Sequence, residues 1–265
     1  MAASLFASRD IQKVKYMGTV KDIIISTQKI RGGTYNFLNG SEFAQFGVFE
    51  ERSKQKKAFK SLDRQFDVAG KKIDADFDKI RNQTRSLNKM AFQLDPLTSF
   101  KAYSTLVKKM IEKDQEVQKE FFANADPFVK SITSVMVNDL LPLSDGIGKL
   151  RGLGSGIIAR TYCEDDEEEM MNDYIDEIKE KLSKTVSDLQ AINKKYGSRL
   201  PAKFNDKLVA LQKNVNRYIS FAENKVIGKE DINEDPNRYF DDGTALIKQV
   251  MELYKISENA LKKAL

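Results

Sequence analysis

Residues 30–38 read Ile-Arg-Gly-Gly-Thr-Tyr-Asn-Phe-Leu, and residues 150–158 read Leu-Arg-Gly-Leu-Gly-Ser-Gly-Ile-Ile. Each stretch has one apolar residue, then Arg-Gly, four mostly small or polar residues and two apolar residues. Both begin inside an apolar pattern of helical spacing, so each arginine is expected where a core side chain normally lies. A buried arginine without a partner is costly. Arg31 and Arg151 therefore each require something that neutralises them.

The apolar spacing places Arg151 within the core more firmly than Arg31. Arg31 shares a column of seven-residue steps with Ile24 and Leu38, and this column flanks the apolar seam of its helix. Arg151 instead lies within a core-facing series that advances by four and three residues: Leu140, Ser144, Ile147, Arg151, Gly154 and Ile158. Of the two arginines, Arg151 is the better candidate for a buried site.

Two interpretations of the arginines stay open. The glycines beside them favour a close helix approach or a small cavity, and an arginine fork in such a cavity suits the planar paired oxygens of a carboxylate or nitrate. Alternatively, each arginine pairs with one of the 39 internal Asp and Glu residues and only fixes the helix register. The candidate ligand-binding residues are Arg31, Arg151, Thr34, Tyr35 and Ser155.

The composition excludes several classes of function. The 265 residues are 31% charged, with 44 basic and 39 acidic side chains interleaved along the chain. No basic stripe with interleaved aromatic residues is found, so nucleic acid is not expected as a partner. There is no histidine, a single cysteine (Cys163), and no phosphate loop, nucleophile elbow or metal-ligand cluster. We therefore expect no enzyme activity, no cofactor and no metal site.

The chain is predicted to be all-α. Long helices run from about Leu5 to Asn39 and from Glu42 to Phe92, the second either kinked at Gly70 or continuous. Asp-Pro pairs at 95–96 and 126–127 start two further helices, with an interruption at Leu141-Pro142. The acidic run 164–169 reads as the start of another helix rather than a calcium site. We predict an elongated antiparallel helical bundle of two stacked four-helix modules, residues 1–125 and 126–265.

Three segments resemble one known family. Residues 28–32 (Gln-Lys-Ile-Arg-Gly), with Tyr35 and the Leu-Asn-Gly at 38–40, resemble the Q-x-x-R-G…Y-L segment of helical extracytoplasmic sensor domains. Residues 141–156 resemble that family's "LP…lG.lRglgsg" segment, and residues 239–244 (Tyr-Phe-Asp-Asp-Gly-Thr) resemble its last helix. Such domains occur in bacterial methyl-accepting chemotaxis receptors and sensor kinases, as the nitrate- and nitrite-sensing (NIT) type or the helical bimodular type.

The resemblance implies a periplasmic ligand-binding domain of a membrane receptor. It implies flanking transmembrane helices, a cytoplasmic signalling half, a homodimer, and a small anion bound between helices near Arg31 or Arg151. The NIT type usually has Glu before the motif arginine, whereas this chain has Ile30 and Leu150 at those positions. The anion is therefore either a small carboxylate or nitrate or nitrite. The alternative is a freestanding helical protein, either an adaptor or a toxin-like bundle. No segment of the sequence approaches the ~18 consecutive apolar residues that a membrane-spanning helix needs.

Overall fold

The computed structural model describes residues 2–69 and 75–265, and side chains in residues 10–65 and 77–265. No strand occurs among the described residues, and the helices pack as a bundle, so the all-α prediction is confirmed. The helices are α1 (Ala2–Leu38), α2 (Ala44–Ala69), α3 (Ala75–Met90), α4 (Pro96–Phe121), α5 (Pro127–Val135), α6 (Leu141–Arg160), α7 (Asp165–Tyr196), α8 (Phe204–Lys225) and α9 (Pro236–Ala264).

Three helices begin at Asp-Pro pairs, where the proline lies in the first helical turn. The Asp95 carboxylate accepts a hydrogen bond of 3.0 Å from the Thr98 amide. Asp126 and Asp235 each accept one of 2.9 Å from the amide two residues further on. These carboxylates satisfy amides that have no partner within the helix, so the sequence itself sets the starts of α4, α5 and α9.

The acidic run at residues 164–169 starts α7, as predicted. Glu164 and Glu167 form a reciprocal capping box, and four acidic residues occupy the first turn. Negative charge there is favourable because the free amides at the start of a helix carry partial positive charge.

Of two predicted helix irregularities, one is corrected and one lies outside the described residues. The chain does not break at Leu141-Pro142; it stays helical from Pro127 to Arg160 through a single π turn, Met136–Leu140. The Leu141 amide bonds to the Met136 carbonyl, five residues back. A wider turn accommodates a proline, which has no amide hydrogen to donate. The conformation at Gly70 lies outside the described residues, but the continuous rod is wrong, because Asn88 Nδ2 on α3 donates to Gln55 Oε1 on α2 at 2.9 Å.

The packing places α1 and α6 at the centre of the molecule. α1 packs along α2 and α4 and crosses α6, and α6 also packs against α7 and α9. One large apolar core runs from Val14 on α1 to Leu261 on α9. The predicted boundary between residues 1–125 and 126–265 falls in the turn between α4 and α5. The apolar core includes residues on both sides of this boundary, so the division into two modules stays a prediction. The α1–α6 crossing brings the two arginine segments together.

Candidate functional site

The two arginine segments meet where α1 crosses α6. A β-carbon on Gly152 would lie 3.3 Å from the Cα of Gly32 and 3.1 Å from the ring of Phe100. Both distances are shorter than an ordinary van der Waals contact, so the glycine at 152 lets the backbone of α6 approach α1 closely. Of the two expectations for these small residues, close approach or a cavity, the structure shows close approach at this point.

Arg31 has an internal partner. Its side chain is fully buried, and Nη1 donates to Asp145 Oδ1 at 2.8 Å and to Ser104 Oγ at 3.3 Å. Nη2 donates to the Asp145 carbonyl at 3.4 Å, and the guanidinium lies 5.2 Å from the centre of the Phe100 ring. Three hydrogen bonds, one of them to a buried carboxylate, satisfy this arginine. For Arg31, the structure therefore supports pairing with an internal carboxylate.

Arg151 has no such partner. Its side chain is 2% exposed, and Nη1 donates to the Thr244 hydroxyl of α9 at 2.9 Å. Nε and Nη2 are buried without a hydrogen-bond partner, and none of the described carboxylates lies within ion-pair distance. The guanidinium lies 4.4 Å from the centre of the Phe240 ring, which contributes a cation–π contact but no compensating negative charge.

The surroundings of Arg151 are electropositive. Burial, and to a smaller extent the positive charge of Arg31, lower the pKa of the Arg151 guanidinium to about 10, so it remains charged at neutral pH. The nearby carboxylate, Asp145, is already shared between Arg31 and Lys149, whose Nζ lies 3.4 Å from it. An uncompensated charge in the core costs several kcal/mol. Among the described residues, Arg151 is therefore a buried cation whose charge no carboxylate offsets.

The other three predicted residues are engaged elsewhere. Tyr35 donates its hydroxyl to Glu167, which also bonds Arg160, and burial raises the pKa of Tyr35 well above its usual range. Ser155 donates to Asn36 Oδ1 at 2.9 Å and to the Gly152 carbonyl at 3.1 Å.

Thr34 is fully buried on α1, on the side that faces Tyr103 of α4. Arg31 and Arg151 are thus brought together at the crossing, whereas the hydroxyls of Tyr35 and Ser155 are bound within the core and no described contact joins Thr34 to either arginine.

Sequence reasoning missed the contribution of α9. Thr244 and Phe240 contact the Arg151 guanidinium, and a β-carbon on Gly243 would lie 2.8 Å from the Cβ of Arg151. The segment 239–244 is one of the three stretches that carry the family resemblance, yet nothing in its spacing indicates that it faces Arg151. Only the packing of α9 on α6 shows that contact.

The free edge of Arg151 has a defined chemistry. Nε and Nη2 lie along one edge of the planar guanidinium, and together they can donate two parallel hydrogen bonds to a carboxylate-like group. With Nη1 held by Thr244, the orientation of this edge is fixed by α9. The arrangement suits a small planar oxyanion, because such an ion satisfies both donors and the charge together.

Comparison with known proteins establishes the fold. No protein-family model matches the chain, and no curated protein sequence matches it. Among solved structures, the chain is similar to that of the NasR transcription antiterminator, with a TM-score of 0.76 and 12% sequence identity over 99% of this chain and 72% of that one. At this identity the likeness shows a shared fold.

This likeness corrects the predicted family. The prediction that the chain is a sensor domain of chemotaxis receptors or sensor kinases is wrong, since over nearly the whole chain the fold is similar to that of the NasR transcription antiterminator. The physical reason lies in the α1–α6 crossing. The Arg-Gly motifs that carried the resemblance lie where two helices pack closely, and close helix packing does not by itself identify a family.

Two predictions rested on the receptor family and are wrong with it: the periplasmic localisation, and the flanking transmembrane helices with a cytoplasmic signalling half. The exclusion of nucleic acid rested on composition, and it is wrong because the similar protein is a transcription antiterminator. The homodimer was inferred from receptor architecture and loses that basis.

None of the described helices is long and apolar enough to cross a membrane.

Proposed function

We propose that this chain is a regulatory domain that controls transcription in response to a small planar oxyanion bound by Arg151. The observation that supports the proposal is the Nε–Nη2 edge of Arg151, which is buried, charged and without a partner. The similarity in fold to a transcription antiterminator supports the process that the domain serves. The role is binding, and no covalent step is involved.

The geometry around Arg151 supports a route from ligand to output. Arg151 extends from α6 and is held by Thr244 of α9, and its Nη2 lies 3.8 Å from where a β-carbon on Gly32 of α1 would be, so three helices meet near one side chain. An anion that pulls the guanidinium toward itself changes the contact with Thr244 and the close packing on Gly243. A ligand shifts such an equilibrium only by its differential affinity for the two arrangements. The position of α9 is therefore the proposed readout.

Thermal unfolding with sodium nitrate, nitrite, formate and acetate at matched ionic strength, against sodium chloride, tests the proposal. A ligand at about 100 times its Kd contributes about 2.7 kcal/mol, which raises the Tm by roughly 5–10 °C for a chain of this size. We expect one of these anions to give a saturable rise that Arg151→Met abolishes. The exposed Arg217 on α8 provides the matched control, because Arg217→Met removes the same charge outside the core.

Two outcomes would overturn the proposal. One is an anion-dependent rise in Tm that survives unchanged in a folded Arg151→Met protein. The other is the absence of any saturable rise in the parent protein with all four anions.

A further inference from the structure

Two rows of basic side chains face each other across the groove between α2 and α3. In each row the residues are four apart, so they lie along one side of their helix and the row extends about 12 Å. The groove between the rows has a volume of about 450 Å³. The rows are Arg52, Lys56 and Lys60 on α2, and Arg81, Arg85 and Lys89 on α3.

The positive charge of this groove is largely uncompensated. Asp63 is the one carboxylate among the described residues that line it, and Arg81 already pairs with Asp63. In the part of the chain that the structure describes, no carboxylate lies within ion-pair distance of the other five basic residues. Lys56, Lys60, Arg85 and Lys89 are exposed to solvent. Like charges concentrated in a recess attract an extended anion.

Exposed aromatic rings continue the α2 row at one end of the groove. Phe43, Phe46 and Phe49 are 85%, 72% and 50% exposed, which is high for phenylalanine. The Arg52 guanidinium lies 5.8 Å from the centre of the Phe49 ring and 4.6 Å from that of Phe92, so the aromatic and basic parts of the surface are contiguous.

We propose that the groove between α2 and α3 binds a single-stranded polynucleotide. Its phosphates lie between the two basic rows, and its bases stack on the rings of Phe46 and Phe49. A cationic groove that follows the backbone, joined to aromatic faces that accept any base, is how proteins hold single strands. A lipid surface fits less well, because the cations line a recess between two helices rather than one outward face.

This site is separate from that of Arg151. The residues described around Arg151 lie on α9 and, at Gly32, on α1, and none of them lies on α2 or α3. Failure of either proposal therefore leaves the other standing.

Fluorescence anisotropy of the full chain with a fluorescein-labelled oligouridylate of twelve nucleotides tests the proposal. We expect binding whose log K falls with log salt at a slope of about −3, since four exposed cations each release about 0.7 counterion from a single strand. Lys56→Glu with Arg85→Glu weakens binding at least about tenfold and flattens this slope. Phe46→Ala weakens binding about tenfold with the slope unchanged, because stacking is not ionic.

The matched control reverses two charges elsewhere. Lys213→Glu with Lys248→Glu changes the net charge by the same amount on exposed faces of α8 and α9 and leaves binding within about twofold of the parent. If both double variants weaken oligonucleotide binding equally, binding depends on the net charge of the protein and not on the groove, and the proposal is overturned. The absence of binding at low salt, or groove-dependent binding to phosphatidylglycerol vesicles with none to the oligonucleotide, would also overturn it.

Discussion

The guanidinium of Arg31 on α1 donates a 2.8 Å hydrogen bond to the carboxylate of Asp145 on α6, and both side chains are buried. Arg151, two turns further along α6, is equally buried and has no carboxylate partner among the described residues. Two arginines that look alike in the sequence are thus electrostatically opposite. Arg31 forms a buried ion pair, and the charge of Arg151 is buried without a counterion.

This difference predicts opposite effects on stability. Arg31→Met leaves the Asp145 carboxylate with only Lys149, so we expect a loss of about 3 kcal/mol in the free energy of unfolding. Arg151→Met removes an unpaired charge from the core, so without added anion the free energy of unfolding stays the same or rises. Urea denaturation of both variants in chloride buffer measures the contrast.

A second substitution serves as the control for the ion pair. Asp145→Asn in the Arg31→Met background removes the stranded carboxylate, and the double variant is expected to be more stable than Arg31→Met alone. If Arg151→Met costs as much as Arg31→Met, then Arg151 has an internal partner and the distinction between the two arginines is wrong.

Gly32→Ala is predicted to separate stability from anion binding. The added methyl group would lie 3.8 Å from Arg151 Nη2, from the Cα of Gly152 and from the Phe240 ring, which is ordinary contact. We expect a gain of about 0.5–1 kcal/mol in stability, as for glycine replaced in a helix interior. The methyl group also fills space beside the free edge of Arg151, so the anion-induced rise in Tm becomes smaller.

Gly47 supplies the comparison for that experiment. It lies on α2 with nothing within 4 Å of the position of an added β-carbon, so Gly47→Ala stabilises the helix without touching Arg151. An unchanged anion response in both variants would show that the ligand does not lie beside Gly32.

Gly156→Ala is predicted to destabilise the protein. A β-carbon at this position would overlap the ring of Tyr35, whose hydroxyl is bound to Glu167, so the ring is not free to move aside. Overpacking of this kind costs about 1–3 kcal/mol, measured by urea denaturation. Tyr35→Leu shortens the ring side chain, so Gly156→Ala should cost less in that background. Additive effects of the two substitutions would exclude the overlap as the cause.

Asp114 is predicted to make stability depend on pH. This carboxyl on α4 is buried without a hydrogen-bond partner, and burial raises its pKa from 3.8 to about 8. Between those values the folded protein holds a proton that the unfolded chain has released, so the free energy of unfolding falls as the pH rises from about 4 to about 8. Each pKa unit corresponds to about 1.4 kcal/mol.

Asp114→Asn isolates this effect, since the amide has the same shape and no charge. The chain contains no histidine, so few other groups titrate in this window. Urea midpoints at both ends of the window should differ more for the parent protein than for Asp114→Asn. Equal pH dependence in the two proteins would show that Asp114 is ionised in the fold.

The local sequence predicted most of the helices. The Asp-Pro pairs and the acidic run before Glu169 have short-range causes, capping and the charge at helix starts, so they could be read without knowledge of the packing. The interruption predicted at Pro142 is wrong, because its cause is not local. Whether a proline ends a helix or lies within a widened one depends on the neighbouring helices, which the local pattern does not contain.

The basic groove was not visible in the sequence. Residues 52–60 of α2 hold five basic residues and no acidic one, and residues 81–89 of α3 hold three basic residues among neutral ones, but nothing in the sequence indicates that these two segments face each other. Only the packing of two antiparallel rows against one groove concentrates the charge. The exclusion of nucleic acid rested on composition, and the similarity to a transcription antiterminator corrects it.

Helical periodicity and capping act over a few residues, so the helical fold, most helix starts and the entry of two arginines into the core can be predicted from the local sequence. That Arg31 is neutralised by Asp145 while Arg151 is not depends on the tertiary structure. A charge is compensated by whatever lies within a few ångströms, and those neighbours come from helices more than ninety residues apart in the chain.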